Sequence, residues 1–303
     1  MSDLQVEAQS AQEAGPESRT VAADAWYQLR RNWVFWVSVV LIVGIFAIVL
    51  FPGLFASEEA TTSLTGGCQL EDSLEAPGDK FLLGADQQGC DVYSLSIYSA
   101  RTSVSVGLLT AIGTTLIGSL LGLLAGFYGG KSDSVLSGVT SIFLGLPFVL
   151  GAVVLLSSVD LPDIWGVVFA LTLLSWATAF RLVRAKTIEA KGQDYTLAAR
   201  ALGAKDLRIM FRHILPNAIG PSIVVAVISL GIFIGAEATL SYLGLGIQPP
   251  NTSWGVMISE AQNAFFTAPW VLMVPAGFLT VTVLAFILLG ETVSDALDPK
   301  LRK

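Results

Sequence analysis

The chain has 303 residues, 53% of them hydrophobic and 14% charged, with a mean hydropathy of +0.68. Soluble domains carry about 25% charged residues, so the composition excludes an ordinary water-soluble fold and points to a bilayer. A net charge of −7 excludes the basic footprint of a nucleic-acid-binding protein.

Residues 1–25 are polar and rich in Ala, Glu and Ser, and are expected to be a disordered cytoplasmic tail. The stretch is too long and too acidic for the n-region of a signal peptide. Residues 26–51 hold a short amphipathic approach (Trp26, Leu29, Arg30, Arg31) and a first span, Trp33 to Phe51, without a charge. No A-x-A site follows it, the nearest being Leu54-Phe55-Ala56, so it reads as an uncleaved transmembrane helix.

Residues 52–101 are the longest hydrophilic gap. They carry Glu58, Glu59, Glu71, Asp72, Glu75, Asp79, Asp86 and Asp91, and the chain's two cysteines, Cys68 and Cys90. An even number of cysteines on the oxidising side of a membrane predicts a disulfide, the alternative being two free thiols. Loop-closure entropy gives such a bridge roughly 3 kcal/mol.

Residues 102–303 carry five more apolar stretches: Thr102 to Gly130, Ser134 to Val159, Ile164 to Phe180, Ile214 onward to Leu243 with Glu237 inside it, and Trp270 to Gly290. Six spans put both termini on one side. If Arg30 and Arg31 are cytoplasmic, every Lys and Arg except Lys80 and Arg101 is cytoplasmic too, as the positive-inside rule requires. Gly118, Gly122 and Gly126 form a small-residue stripe, repeated by Gly231 and Gly235, for helix packing within this subunit or against a second one. Gly130-Lys131-Ser132 is not a phosphate loop. Ala125 stands where the first Gly belongs, and the stretch leaves a span rather than a strand, so the chain is expected to bind no ATP.

The polar, basic segment Tyr195 to Asn217 has apolar residues at helical spacing: Tyr195, Ala198, Ala199 and Leu202, then Leu207, Met210, Phe211 and Ile214. Gly203 separates the two stripes, and Arg200, Lys205, Arg208 and Arg212 lie off them. The pattern fits an interfacial helix lying in the headgroups, or a helix–Gly–helix unit that needs a partner to cover it. Glu237 is the one ionisable residue deep in an apolar run. It is read either as part of a path or gate, or as a hydrogen-bonded structural group. Trp254 and Trp270 suit interfacial positions.

Ala198, Ala199, Gly203, Leu215 and Pro216 together resemble the cytoplasmic signature loop of ABC importer membrane subunits. Two positions depart from it: Leu197 stands where a Glu is frequent, and His213 where an Ile is frequent. The fuller strings A-A-R-A-L-G and R-H-I-L-P-N resemble the dipeptide/oligopeptide/nickel subgroup and its C-type permease subunit. The G-x-D-x-x-G-x-D run at Gly84, Asp86, Gly89 and Asp91 is similar to that subgroup, with Cys90 where many members have Arg. So are the stretch from Glu237 to Gly246 and the ending with Asp295, Leu297, Asp298 and Pro299, where Ser294 replaces an Arg.

The resemblance implies an all-α integral membrane protein with six transmembrane helices of the type I importer permease fold, both termini cytoplasmic, in the inner (plasma) membrane. It implies a coupling loop over residues 183–215. There Ala198, Ala199 and Gly203 permit close packing, and Leu202, Leu207 and Phe211 form the apolar docking face. The implied partners are a second homologous permease subunit, two ATPase subunits carrying ATP and Mg, an extracytoplasmic substrate-binding protein, a peptide substrate and membrane lipid. No cofactor, metal or catalytic residue is expected on this chain. The same architecture also serves nickel chelates, opines or glycosides. An ion-driven secondary transporter would be expected to show several intramembrane carboxylates or an inverted repeat, and a membrane enzyme a reactive cluster; one Glu and one His supply neither.

Overall fold

The computed structural model describes residues 21–58, 61, 67–158 and 163–297. Residues 1–20 of the expected tail, Glu59, Val159, and the terminal Asp298, Pro299, Lys300, Arg302 and Lys303 lie outside the described residues. The described chain is helical, with α1 (Val21–Leu29), α2 (Trp33–Leu50), α3 (Val92–Tyr128), α4 (Gly130–Gly145), α5 (Phe148–Ser158), α6 (Asp163–Lys191), α7 (Asp194–Ala201), α8 (Gly220–Tyr242), α9 (Trp254–Glu260) and α10 (Trp270–Leu297).

The α1 helix begins inside the expected tail: residues 21–25 are helical, and Ala25 is buried. It packs along α10. Trp26 meets Phe35 edge-on at 6.4 Å, and the Trp36 indole donates to the Arg30 carbonyl at 3.0 Å. Asn32 then caps α2 by accepting from the Val34 N–H at 2.9 Å. The Arg30 and Arg31 guanidiniums lie 4.8 and 4.7 Å from the Tyr27 ring centroid.

The bundle is built on the seam between α3 and α6, its most extensive helix–helix contact. A Cβ added at Gly118 would lie 2.7 Å from the Trp176 carbonyl oxygen. At Gly122 it would lie 2.6 Å from the Phe180 oxygen, and at Gly126 2.8 Å from the Arg184 oxygen. Glycine is what lets the two backbones approach that closely. The stripe therefore packs within this subunit. Of the second pair, Gly231 meets α10, its added Cβ falling 2.9 Å from the Val283 oxygen, whereas Gly235 has nothing within 4 Å among the described residues.

The order of these contacts fixes direction. Both residue numbers rise together along the seam, so α3 and α6 run parallel. The chain between them must cross back, and only α4 and α5 are available. Hydropathy alone predicts one uninterrupted span there. The segment is instead two helices meeting at 96°. Pro147 supplies the cause, because it disfavours helical geometry at the residue before it; Leu146 is extended, with φ −76° and ψ 130°. Counted as one broken span, the bent pair joins α2, α3, α6, α8 and α10 to give six candidate spans among the described residues. The Arg184 guanidinium forks onto both oxygens of Asp133, tying α4 to α6.

The second span starts earlier than Thr102. Asp91 caps α3 by accepting from Tyr93 and Ser94 N–H at 3.3 and 3.1 Å, and Val92, Leu95, Ile97 and Ala100 are buried before the exposed Arg101 is reached. The described part of the hydrophilic segment is thus folded, and its last ten residues are helix. Cys68 and Cys90 are bonded. The Asp86 carboxylate accepts from the Gln88 and Cys90 N–H groups at 2.8 Å each, and the Trp270 indole donates to the Ala85 carbonyl at 3.2 Å. The Gln87 amide reaches the Glu260 carbonyl at 2.9 Å, tying the disulfide segment to α9. Trp254, expected at an interface, is fully buried, stacked on Phe278 at 6.2 Å with its indole donating to the Ser96 carbonyl at 2.9 Å.

The seam and the charges at the disulfide end are each open to measurement. Gly122→Val destabilises the detergent-solubilised chain by about 1–3 kcal/mol, because its side chain meets backbone. Gly235→Ala stabilises it by about 0.5 kcal/mol; equal unfolding temperatures for the two variants would refute the seam. Burial pushes the Asp86 carboxyl above its ordinary range, against the backbone N–H groups of Cys90 and Gln88. Partial desolvation, reinforced by the Asp86 charge, does the same to Glu260, which stays exposed on one side. Raised carboxyl values mean the folded chain binds these protons more tightly than the unfolded chain. Stability from this pair therefore rises as pH falls through the raised values toward the ordinary ones. Unfolding temperatures at about pH 7.5 and about pH 5.5 should differ less for Glu260→Gln than for the unaltered chain. An identical pH dependence in both would contradict the pairing.

Candidate functional site

At the end of the bundle away from the disulfide, α6 runs on to Lys191 and the chain turns into α7. Lys191 holds the corner by donating to the Phe127 carbonyl, and the Lys191 and Arg200 cations lie 5.6 and 5.8 Å from the Phe127 ring centroid. Thr196 faces inward, its hydroxyl donating to the Ala190 carbonyl at 2.9 Å. The helix α7 ends in paired bonds from Gly203 N–H to the Arg200 carbonyl (3.0 Å) and from Ala204 N–H to the Ala199 carbonyl (3.1 Å). That is a Schellman closure with a left-handed residue after the cap, and Gly203 has φ +81°. The family resemblance assigns Gly203 to close packing. Among the described residues nothing lies within 4 Å of a Cβ placed there, so within this chain the glycine serves the turn.

A short helix Asp206–Arg208, a wider π turn Ile209–Ile214 and a turn Leu215–Ala218 come next. The wide turn immediately precedes Pro216, which has no N–H to continue a regular ladder. The expected second stripe divides. Met210 and Ile214 are buried together with Ile209 in a cluster with Leu123, Phe127 and Val183. Leu207 and Phe211 point outward, 64% and 48% exposed, and Leu202 is 88% exposed. Ala198 is exposed and Ala199 half-buried. The five exposed residues of the six singled out therefore share one end of the bundle, beside Arg200, Arg208 and Arg212.

Between α3, the α4–α5 bend, α6 and α8 lies a cavity of about 440 Å³. Phe143, Leu146 and Phe148 from the bend and Phe233 from α8 wall it, and among the described residues no charged side chain lines it. Its hydroxyls come from Thr114 and Thr115 on α3, Ser175 and Thr178 on α6, and Ser222 and Ser229 on α8. Sequence reasoning does not single these residues out. A signal is present nonetheless: Ser175 and Thr178 stand one turn apart, and Ser222 and Ser229 two turns apart, each pair on one helical face.

Glu237 does not line this cavity. It is wholly buried where α8 meets α3 and the segment leading to α9. The Ser241 hydroxyl donates to its Oε1 at 2.7 Å and in turn accepts from the Ile247 N–H at 3.0 Å. The Ser103 and Ser253 hydroxyls are its next polar neighbours, but Oε2 makes no direct hydrogen bond among the described residues. Ser103 accepts from the Trp254 N–H at 3.2 Å, so the group joins three parts of the chain at that end.

Comparison with known proteins places this geometry. Residues 118–303 match the family described as binding-protein-dependent transport system inner membrane component. Residues 20–65 match the N-terminal TM domain of oligopeptide transport permease C. The chain is 34% identical to the oligopeptide transport system permease protein OppC of Bacillus subtilis (strain 168), over 97% of this chain and 94% of that one. It is 36% identical to the dipeptide transport system permease protein DppC of the same organism, over 94% and 88%. Among solved structures it is similar in fold to an inward-facing MetNI methionine ABC transporter, with a TM-score of 0.55 and 19% identity over 67% of this chain and 96% of that chain. Six candidate spans with one broken, a capped helical turn exposed at one end and matches over nearly the whole length agree: this chain belongs to the family of inner membrane permease components of binding-protein-dependent ABC importers.

Proposed function

We propose that this chain is the membrane-spanning subunit of an ATP-driven importer of di- and oligopeptides, coupled to separate ATPase subunits through residues 183–215. The observation that carries the coupling assignment is the apolar face of Leu202, Leu207 and Phe211, exposed at one charged end of the bundle. An apolar patch rimmed by arginines is an unfinished interface. The cargo assignment is supported by the peptide transport for which the OppC and DppC relatives are named. Both termini and the Tyr195 end lie in the cytoplasm, which puts all basic residues but Lys80 and Arg101 on that side.

The working assembly pairs this chain with a second permease subunit, two ATPase subunits and an extracytoplasmic binding protein. ATP and Mg sit on the ATPase subunits. Closure of the ATPase pair pushes on α7 and the turn after Gly203. The Lys191–Phe127 and Asp133–Arg184 contacts carry that push into α3 and α4, whose neighbours wall the cavity. Rocking of these helices opens the cavity first toward the binding protein and then toward the cytoplasm. Glu237, buried at the opposite end, pins α8 to the segment before α9 and acts as a gate post there.

Purification of the chain from its native membrane in mild detergent should bring down a second six-span permease and P-loop ATPases, identified by mass spectrometry. Recovery of the chain alone under ATP-trapping conditions would reject the coupling assignment. Gly203→Asp should abolish uptake and leave membrane insertion intact. There is room for the Asp side chain within the chain, but the positive φ strains any side chain there, so the loss reports on the turn that presents the docking surface. Glu237→Gln keeps an acceptor for Ser241 and should retain the fold. Glu237→Leu should lower stability by about 1–3 kcal/mol, read as an earlier thermal transition.

A further inference from the structure

We propose that Arg30 and Arg31, at the corner between α1 and α2, form a binding site for the headgroup phosphate of an anionic phospholipid. Such a site goes beyond the importer function and does not rest on it.

The first observation is a pair of cations without an anion. Both guanidiniums are exposed and gather on the one ring of Tyr27. Among the described residues neither makes an ion pair or donates a side-chain hydrogen bond. Helix α1 packs along α10, yet the exposed Glu291 and Asp295 of α10 do not pair with them. A ring attracts a cation, but the planar N–H fork of each guanidinium is left to what surrounds the corner, and that fork matches a phosphate. The second observation is that the corner is built. The Arg30, Arg31 and Asn32 N–H groups donate to the Trp26, Gln28 and Leu29 carbonyls at 3.1, 3.2 and 3.0 Å. The Trp36 indole holds the Arg30 carbonyl from the other side, and Asn32 caps α2. A backbone fixed in this way places both arginines before a ligand arrives.

The third observation is depth. Helix α2 has 18 residues, a length of about 27 Å against a hydrocarbon layer of about 30 Å. Its far end passes directly into the segment that holds the disulfide, so its first residue lies at the opposite boundary of the bilayer. Trp33, Trp36, Val40 and Val43 are all exposed and share one face of α2. The tryptophans stand at the polar end of that face and the valines beyond them, the order in which the interface and the tails of a lipid run. Arg30 and Arg31 immediately precede the stripe, at the level of the phosphates, and the exposed Trp26 lies beside them. Charge complementarity together with this depth selects an anionic lipid over a soluble anion, which has no acyl chain to lie along the stripe. Arg208 and Arg212 also lack an ion pair, but they rim the face of Leu207 and Phe211 and not a lipid-facing span.

The test titrates the full chain, delipidated in mild detergent, with dioleoyl phosphatidylglycerol or dioleoyl phosphatidylcholine and reads the first bound lipid by native mass spectrometry. The unaltered chain should bind phosphatidylglycerol about tenfold more tightly. Arg30→Gln with Arg31→Gln should remove that preference and leave phosphatidylcholine binding unchanged. Arg208→Gln with Arg212→Gln removes the same charge elsewhere and should keep the preference within about twofold. Arg30→Lys with Arg31→Lys keeps the charge at the corner and should bind within about threefold of the unaltered chain. Equal affinity of the unaltered chain for the two lipids, or equal losses in the two Gln pairs, would overturn the site. A Lys pair no better than the Gln pair at the corner would trace the loss to an altered backbone and overturn it too. Displacement of the lipid by sn-glycerol 3-phosphate would assign the corner to a soluble anion and reject the lipid.

Discussion

The close parallel seam between α3 and α6 is the constraint on which the other features rest. Three glycines one turn apart allow the backbones of two long helices to touch, and in a bilayer that contact is the main attraction available. Lipid tails are as apolar as leucine, so burying leucine gains little there. Once the two helices run parallel, the intervening chain has to return across the bundle. It does so as a span broken at Pro147, and the break matters. A straight helix between them would fill the space that the bent pair leaves open toward α8. The cavity is therefore a product of the seam and the proline together.

The end carrying α7 shows a second balance. Its inward residues, Thr196, Ile209, Met210 and Ile214, are buried or hydrogen-bonded, and the Schellman closure satisfies the last carbonyls of α7. Its outward residues include large apolar side chains that gain nothing from the water around them. A monomer would be better served by polar residues at Leu202, Leu207 and Phe211. Their presence on a surface otherwise rich in Arg and Lys is what the proposed docking of an ATPase subunit would offset. Glu237 obeys the opposite logic, since a group costly to bury has been enclosed with serines from three segments, fixing how those segments meet.

Much of this is legible in the sequence, and the parts that are not have identifiable causes. The first and last spans, the cysteine pair and the small-residue stripe are strong because each depends on a local pattern: uncharged length, parity, or a spacing of four. Gly203 is legible as the divider between α7 and the turns beyond it. Its reason is not, because a positive φ leaves no more trace in one sequence than close packing does. The start of α3 is hidden by serines, tyrosines and Arg101, which read as loop although one face is buried and Asp91 caps it. The break at Pro147 is hidden because prolines are tolerated in transmembrane helices, as Pro275 is within α10. The cavity hydroxyls have helical spacing but little hydropathic signal, and only the tertiary arrangement shows which of them face the open space.

Helix α3 has 37 residues and no proline, a rod of about 55 Å against a hydrocarbon layer of about 30 Å. One end is capped beside the disulfide segment and the other is clasped by Lys191 beside α7. A single unbroken helix therefore joins the two ends of the bundle, and in the proposed assembly it links the partners at both faces of the membrane. Such a lever works in both directions. If loading at the outer end shifts its tilt, nucleotide affinity at the inner end shifts with it, and thermodynamic reciprocity requires nucleotide to alter affinity outside by the same factor. Beyond the Lys191 contact, the two ends need no further relay of side chains, because they share one piece of backbone.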